Sequence, residues 1–156
     1  MFYKLVISFI IVGSNLFAGT FDINVARKLF LESKTNKKSA EELLKISSNE
    51  VNNNSAMAYN AIALFMMCNH TNNVYTKLSN FNKGKTILEK SISNDKENIE
   101  LRFLRYCIQK NIPSILGYNN NLETDKAEVL RYLKLTKNTS TTDLELVRFL
   151  ENINKL

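Results

Sequence analysis

Scarcity is the first feature of this chain: one proline, four glycines, two cysteines and one histidine in 156 residues. Proline breaks helices and glycine weakens them, so so few of either leave long stretches free to be helical. Alternating β-branched runs bounded by turns are also missing, which argues against strands. The single histidine, His70, leaves a histidine-based metal site to recruit its other ligands from carboxylates or cysteines, and no such spacing is visible. No phosphate-cradling glycine loop, dinucleotide fingerprint or nucleophile elbow is present, so neither a cofactor nor a metal is expected. Carboxylate pairs such as Glu41 with Glu42, Glu97 with Glu100 and Glu123 with Asp125 fall where first turns of helices are expected. There the helix dipole favours acids simply as stabilisers.

What is present is an ordinary globular balance, with 44% hydrophobic and 23% charged residues. That is enough for one core and one domain. The net charge of +6 raises nucleic acid and anionic surfaces as partners. Lysine and arginine are interleaved with acids, however, and form no basic stripe, so nucleic acid is not expected.

The opening MFYKLVISFIIVGSNLFAGT places Lys4 before an apolar stretch reaching about Val12, with Ala18 as the small residue before a cut. This is the layout of a secretory signal. Its apolar run is shorter than the ~20 residues of a membrane-spanning helix. The expected division is a signal peptide over 1–18 and a helical domain over 19–156, exported to the periplasm or secreted, with no integral membrane segment after cleavage.

Apolar periodicity predicts seven helices, near 21–33, 39–48, 55–69, 83–93, 98–110, 122–136 and 142–154, with a further short one between 72 and 81. Ser39 with Glu42, and Thr142 with Glu145, fit capping boxes, and Asp22, Asn54, Asn98 and Asn121 stand where polar N-caps are needed. Aligning helix starts at Phe21, Ser55, Ile99 and Thr142 brings out a repeat. Ile23, Met57, Leu101 and Leu144 share one place, and Val25, Tyr59, Phe103 and Leu146 another. In the intervening helices Ala40, Gly84 and Ala127 are small, each followed three residues later by Leu43, Ile87 or Leu130.

The starts recur 34, 44 and 43 residues apart. On this period, and on phrases such as ILEKSISNDKEN at 87–98, the chain resembles a degenerate tetratricopeptide-like array. The resemblance implies an all-α fold of about seven antiparallel helices that binds a protein or peptide. The phrases FDINVARKLFLES and IELRFLRYCIQKNIPSILGYNNNLETDKAEVL also resemble a group of small exported proteins from Bacteroidetes-type bacteria. That likeness implies helices and export and brings no catalytic residues.

The two longer repeat units place insertions at 70–82 and 112–121, expected along one edge of the stack. Tyr75, Phe81, Pro113, Leu116 and Tyr118 in these insertions are candidate partner-binding residues, either as a contact surface or as a cover for the core. Arg102 and Arg105 join them, because arginines recur at the place of Arg105 as Arg27 and Arg148 and can recognise carboxylate or phosphate.

Cys68 and Cys107 are expected to be free. Cys68 lies five residues beyond the place aligned with Cys107, about 7.5 Å along its helix. Helices about 8–10 Å apart then exceed the roughly 7 Å Cα separation of a bridge. The expected function is therefore a non-catalytic binding module. The alternatives are a small envelope hydrolase and a basic protein held at anionic envelope surfaces.

Overall fold

The structure, a computed structural model, describes residues 21–50, 52–136 and 143–154. The expected signal peptide and Thr142 lie outside the described residues. Within them the fold is all-α, with seven α-helices and three short 3-10 turns. The helices are α1 Ile23–Ser33, α2 Lys37–Ser47, α3 Asn54–Met67, α4 Val74–Asn94, α5 Ile99–Asn111, α6 Leu122–Thr136 and α7 Leu144–Leu150.

Their starts are fixed by short polar side chains. Asp22 accepts from the amides of Asn24 and Val25, Asn98 from those of Glu100 and Leu101, and Asp143 from those of Glu145 and Leu146. Each satisfies backbone donors that a helix start leaves unpaired. Two starts differ from expectation. Asn36, not Ser39, caps α2, and the Ser39 hydroxyl donates to Glu32 at 2.9 Å. Asn53, one residue before the expected Asn54, caps α3.

The larger correction concerns 70–82, which is not a connector. After a 3-10 turn at Cys68–His70 and the cap Asn73, the chain runs as one 21-residue helix to Asn94. No proline interrupts it, and Gly84 sits buried inside it, where a Cβ would lie 3.1 Å from both the Ala61 carbonyl oxygen and the Phe65 ring. Gly84 therefore lets α4 approach α3 more closely than any side chain would allow.

Helices adjacent in sequence pack together all the way from α1 to α7, while α3 also meets α1 and α5, and α5 meets α7. The centre is α3, whose Ala56, Ala58, Tyr59, Ala61, Ile62, Ala63 and Phe65 are all buried. Phe103 of α5 meets Phe149 of α7 edge-on at 4.9 Å, and Phe30 of α1 meets Phe149 at 6.0 Å, closing the opposite end of the core. In α6 the buried positions are Asp125, Val129 and Leu133, whereas Ala127 and Leu130, the residues aligned with α2 and α4, are exposed. The repeat register thus fails in α6 by a fraction of a turn.

Candidate functional site

The most concentrated polar chemistry is buried. Arg27 of α1 donates from Nε and Nη2 to the two carboxylate oxygens of Glu100 in α5, at 2.9 and 2.7 Å. The Tyr59 hydroxyl of α3 donates to the same carboxylate at 2.5 Å, and Asn24 accepts from Arg27 Nη1 at 2.8 Å. Two repeats further on, Arg105 of α5 donates from Nε and Nη2 to Asp125 of α6, at 2.7 and 3.0 Å. Its Nη1 reaches Glu89 of α4 at 2.8 Å, and Glu89 in turn accepts from the Tyr118 hydroxyl at 2.5 Å.

Both networks thus consist of an arginine fork, a carboxylate in the first turn of another helix, and a tyrosine. Fork geometry supplies two parallel charge-assisted bonds, and the helix N-terminus adds favourable potential for the carboxylate. Burial lowers the affinity of both guanidinium groups for their protons, but the facing carboxylates outweigh it and the net shift is upward. Tyr59 and Tyr118 are both held above the ordinary phenol range, by burial first and by Glu100 and Glu89 respectively. A protonated phenol bonded to an ionised carboxylate is a structural clamp, because the groups that could move a proton are already satisfied by one another.

This arrangement corrects two expectations. Arg105 is buried and occupied, so it is a positioning element of the core and not a recognition residue. Arg102, half-buried, lies 3.6 Å from Asp125 and donates to the Lys96 carbonyl. Arg148, at the same repeat place, is exposed and pairs with Glu145. The acids Glu100 and Asp125, expected only as stabilisers of first turns, do stand in those turns but are buried at the centre of the networks. Sequence alone offered one signal for them, the recurrence of arginine at 27 and 105.

The residues expected along one edge divide into two groups. Tyr118 is only 5% exposed and stacks with Phe65 at 6.4 Å, while Phe81, also buried, meets both rings edge-on. These two cover the core and are unavailable to a partner. Tyr75 is 86% exposed, beside Val74 at 73%, and Leu78 is also exposed. Pro113 is exposed, as are Ile115 at 91% and Leu116.

The connector carrying Pro113 and Leu116 is shaped by its own chemistry. Pro113 follows the last residue of α5 by two, and Gly117 adopts the left-handed conformation at φ 59° that ends the 3-10 turn Ser114–Leu116. Tyr118 then drops into the core against α4, with Lys85 over its ring at 5.0 Å. Exposed apolar side chains thus stand in two segments, Val74, Tyr75 and Leu78 at the start of α4 and Ile115 with Leu116 in the connector before α6.

The remaining candidates are weaker. A cavity of about 60 Å³ between α1, α3 and α5 is lined by Phe30, Leu31, Met66 and Cys107. The Cys107 thiol there is pushed up to about 12 by burial, which makes it a poor nucleophile. Cys68 is likewise raised by burial, and both thiols are free. His70 bonds the Ser33 carbonyl through Nε2 at 2.7 Å, tying the end of α3 to the end of α1. A shallow groove of about 270 Å³ between α1 and α7 contains Arg27 and Arg148, each already paired. Among the described residues no group of three or more His, Cys, Asp or Glu could hold a metal ion. No helix among them is long and apolar enough to cross a membrane.

No family model, curated protein or solved structure matches the chain.

Proposed function

We propose that the protein is an exported, non-catalytic helical-repeat module that binds a protein or peptide. The carrying observation is the exposure of Val74, Tyr75 and Leu78 at the start of α4 and of Ile115 and Leu116 in the connector before α6, large apolar side chains that stand in solvent among polar neighbours. Exposed apolar groups of this kind have their use in association. The serial packing of α1, α3, α5 and α7 supports the tetratricopeptide-like reading. The non-catalytic reading is supported by the saturation of the buried arginines, carboxylates and phenols in two closed networks.

Affinity capture from cell-envelope extract, using the chain from Gly19, tests this directly. A partner retained by the wild type and lost by Tyr75→Asp with Ile115→Asp, at unchanged circular dichroism, is the expected result. Equal capture by both proteins sinks the assignment of these residues.

A further inference from the structure

We infer that the cavity between α1, α3 and α5 is a binding site for a short aliphatic carboxylate, a small-molecule site separate from the apolar segments proposed above to meet a protein. Buried Phe30 and Cys107 form its floor with half-buried Met66. Its other lining residues, Leu31, Lys34, Asn69 and Asn111, are exposed. The space is therefore apolar at depth and polar where it opens, which is what a ligand with an apolar tail and a polar head requires. Volume limits the tail. The cavity measures about 60 Å³, and one water takes a share of about 30 Å³ in the liquid, so about two or three aliphatic carbons fit. A cavity that admits benzene measures about 150 Å³, so an aromatic ring is excluded here. Water is a poor occupant of the floor, whose side chains offer only two sulfur atoms, both weak hydrogen-bonding groups.

Charge sets the head. Lys34 is the one charged side chain lining the cavity, and it enters no ion pair among the described residues. Glu32, two residues before it, is turned to α2, where it accepts from Ser39. Three helices end near this opening, at Ser33, Met67 and Asn111, and helix C-termini carry negative potential. Their carbonyls are already engaged, that of Ser33 by His70, that of Cys107 by Asn111, and those of Phe65 and Met66 by the Cys68 amide. The full charge of Lys34 is then the stronger influence on a head group at the opening. Asn69 adds an amide donor beside it. A carboxylate at the opening, with its tail against Phe30 and Met66, satisfies both ends of the cavity.

The test is methyl NMR of the purified protein, following Leu31 and Met66 during titration with butyrate, acetate, butylamine, butanol and benzoate. Butyrate should shift both residues' methyl signals saturably at about millimolar concentration. Each buried methylene is worth about fourfold in affinity, so acetate should bind about tenfold more weakly. Cys107→Met, which fills the floor, should abolish saturation. Lys34→Glu, at the surface, should leave the fold unchanged and weaken butyrate about tenfold. If Cys107→Met does not fold, Lys34→Glu and the ligand series decide the matter. Equal shifts by acetate and butyrate, or no saturation by butyrate below about 0.1 M, would overturn the site. Butylamine or butanol binding as tightly as butyrate would overturn the anionic head, and benzoate binding as tightly would overturn the limit on size.

Discussion

Both carboxylate oxygens of Glu100 accept from one edge of the Arg27 guanidinium, Nε and Nη2, at 2.9 and 2.7 Å, across 73 residues of sequence. Both side chains are almost fully buried, at 7% and 5% exposure. Removing one partner leaves the other charged and desolvated, which costs far more than the net worth of the pair. Glu100→Ala should therefore lower unfolding free energy by about 3–5 kcal/mol, measured by urea denaturation. Arg27→Met combined with Glu100→Leu should recover most of that loss. A single-mutant loss below about 1 kcal/mol, the scale of an exposed pair, would show that the fork is solvated.

Gly84→Ala sets two effects against each other. Alanine is favoured over glycine in a helix by about 1 kcal/mol. Its methyl group would lie 3.1 Å from the Ala61 carbonyl oxygen, a backbone atom in the central helix α3, which has little room to yield. Overpacking costs about 1–3 kcal/mol, so the substitution should be destabilising on balance. A rise in melting temperature would show that α4 can move off α3.

Tyr75 and Tyr118, both candidate binding residues by sequence, should behave oppositely. Tyr118→Ala removes a buried ring and strands Glu89 without its hydroxyl donor. A loss of about 3–5 kcal/mol is expected, as for other buried aromatics. Tyr75→Ala removes an exposed ring and should stay within about 0.5 kcal/mol of wild type. Chemical denaturation of the two variants side by side decides the point, and equal effects would refute that division.

Stability should fall at alkaline pH. The Cys107 thiol moves from an ordinary 9.0 to about 12 because burial disfavours the thiolate. Raising the folded value of an acid means that its neutral form stabilises the native state. That contribution is whole below 9.0 and is lost as pH climbs towards about 12. Tyr59 and Tyr118, also raised, act in the same direction. The advantage of wild type over Cys107→Ala in denaturation midpoint should therefore shrink across this interval. A constant difference would mean that the thiol is solvated in the native state.

The helices were legible where local chemistry decides them. Asp22 and Asn98 cap as their short side chains require, and Pro113 and Gly117 end and turn the chain as written. Legibility failed where tertiary packing decides. Periodicity within 70–82 marks a short helix at 72–81 but not its continuity with 83–94, because the asparagines and serine that resemble a connector are tolerated on the exposed face of α4. The register of α6 was set by Asp125 turning inward to Arg105, which drew Val129 and Leu133 into the core in place of Leu130. Charged residues are rarely buried, so no local pattern marks Glu100 or Asp125 as interior. The candidate binding residues were half legible: the aromatics among them were visible as a group, but which of them would cover the core depended on Gly84 setting the depth of α4.

The Arg27 fork also couples distant parts of the chain. Arg27 of α1 finds its buried carboxylate only in the first turn of α5, 73 residues on. Without that turn the guanidinium would have to be buried unpaired or stay hydrated, and a desolvated unpaired charge is strongly unfavourable. Docking of the amino-terminal helix is thereby tied thermodynamically to the presence of α5.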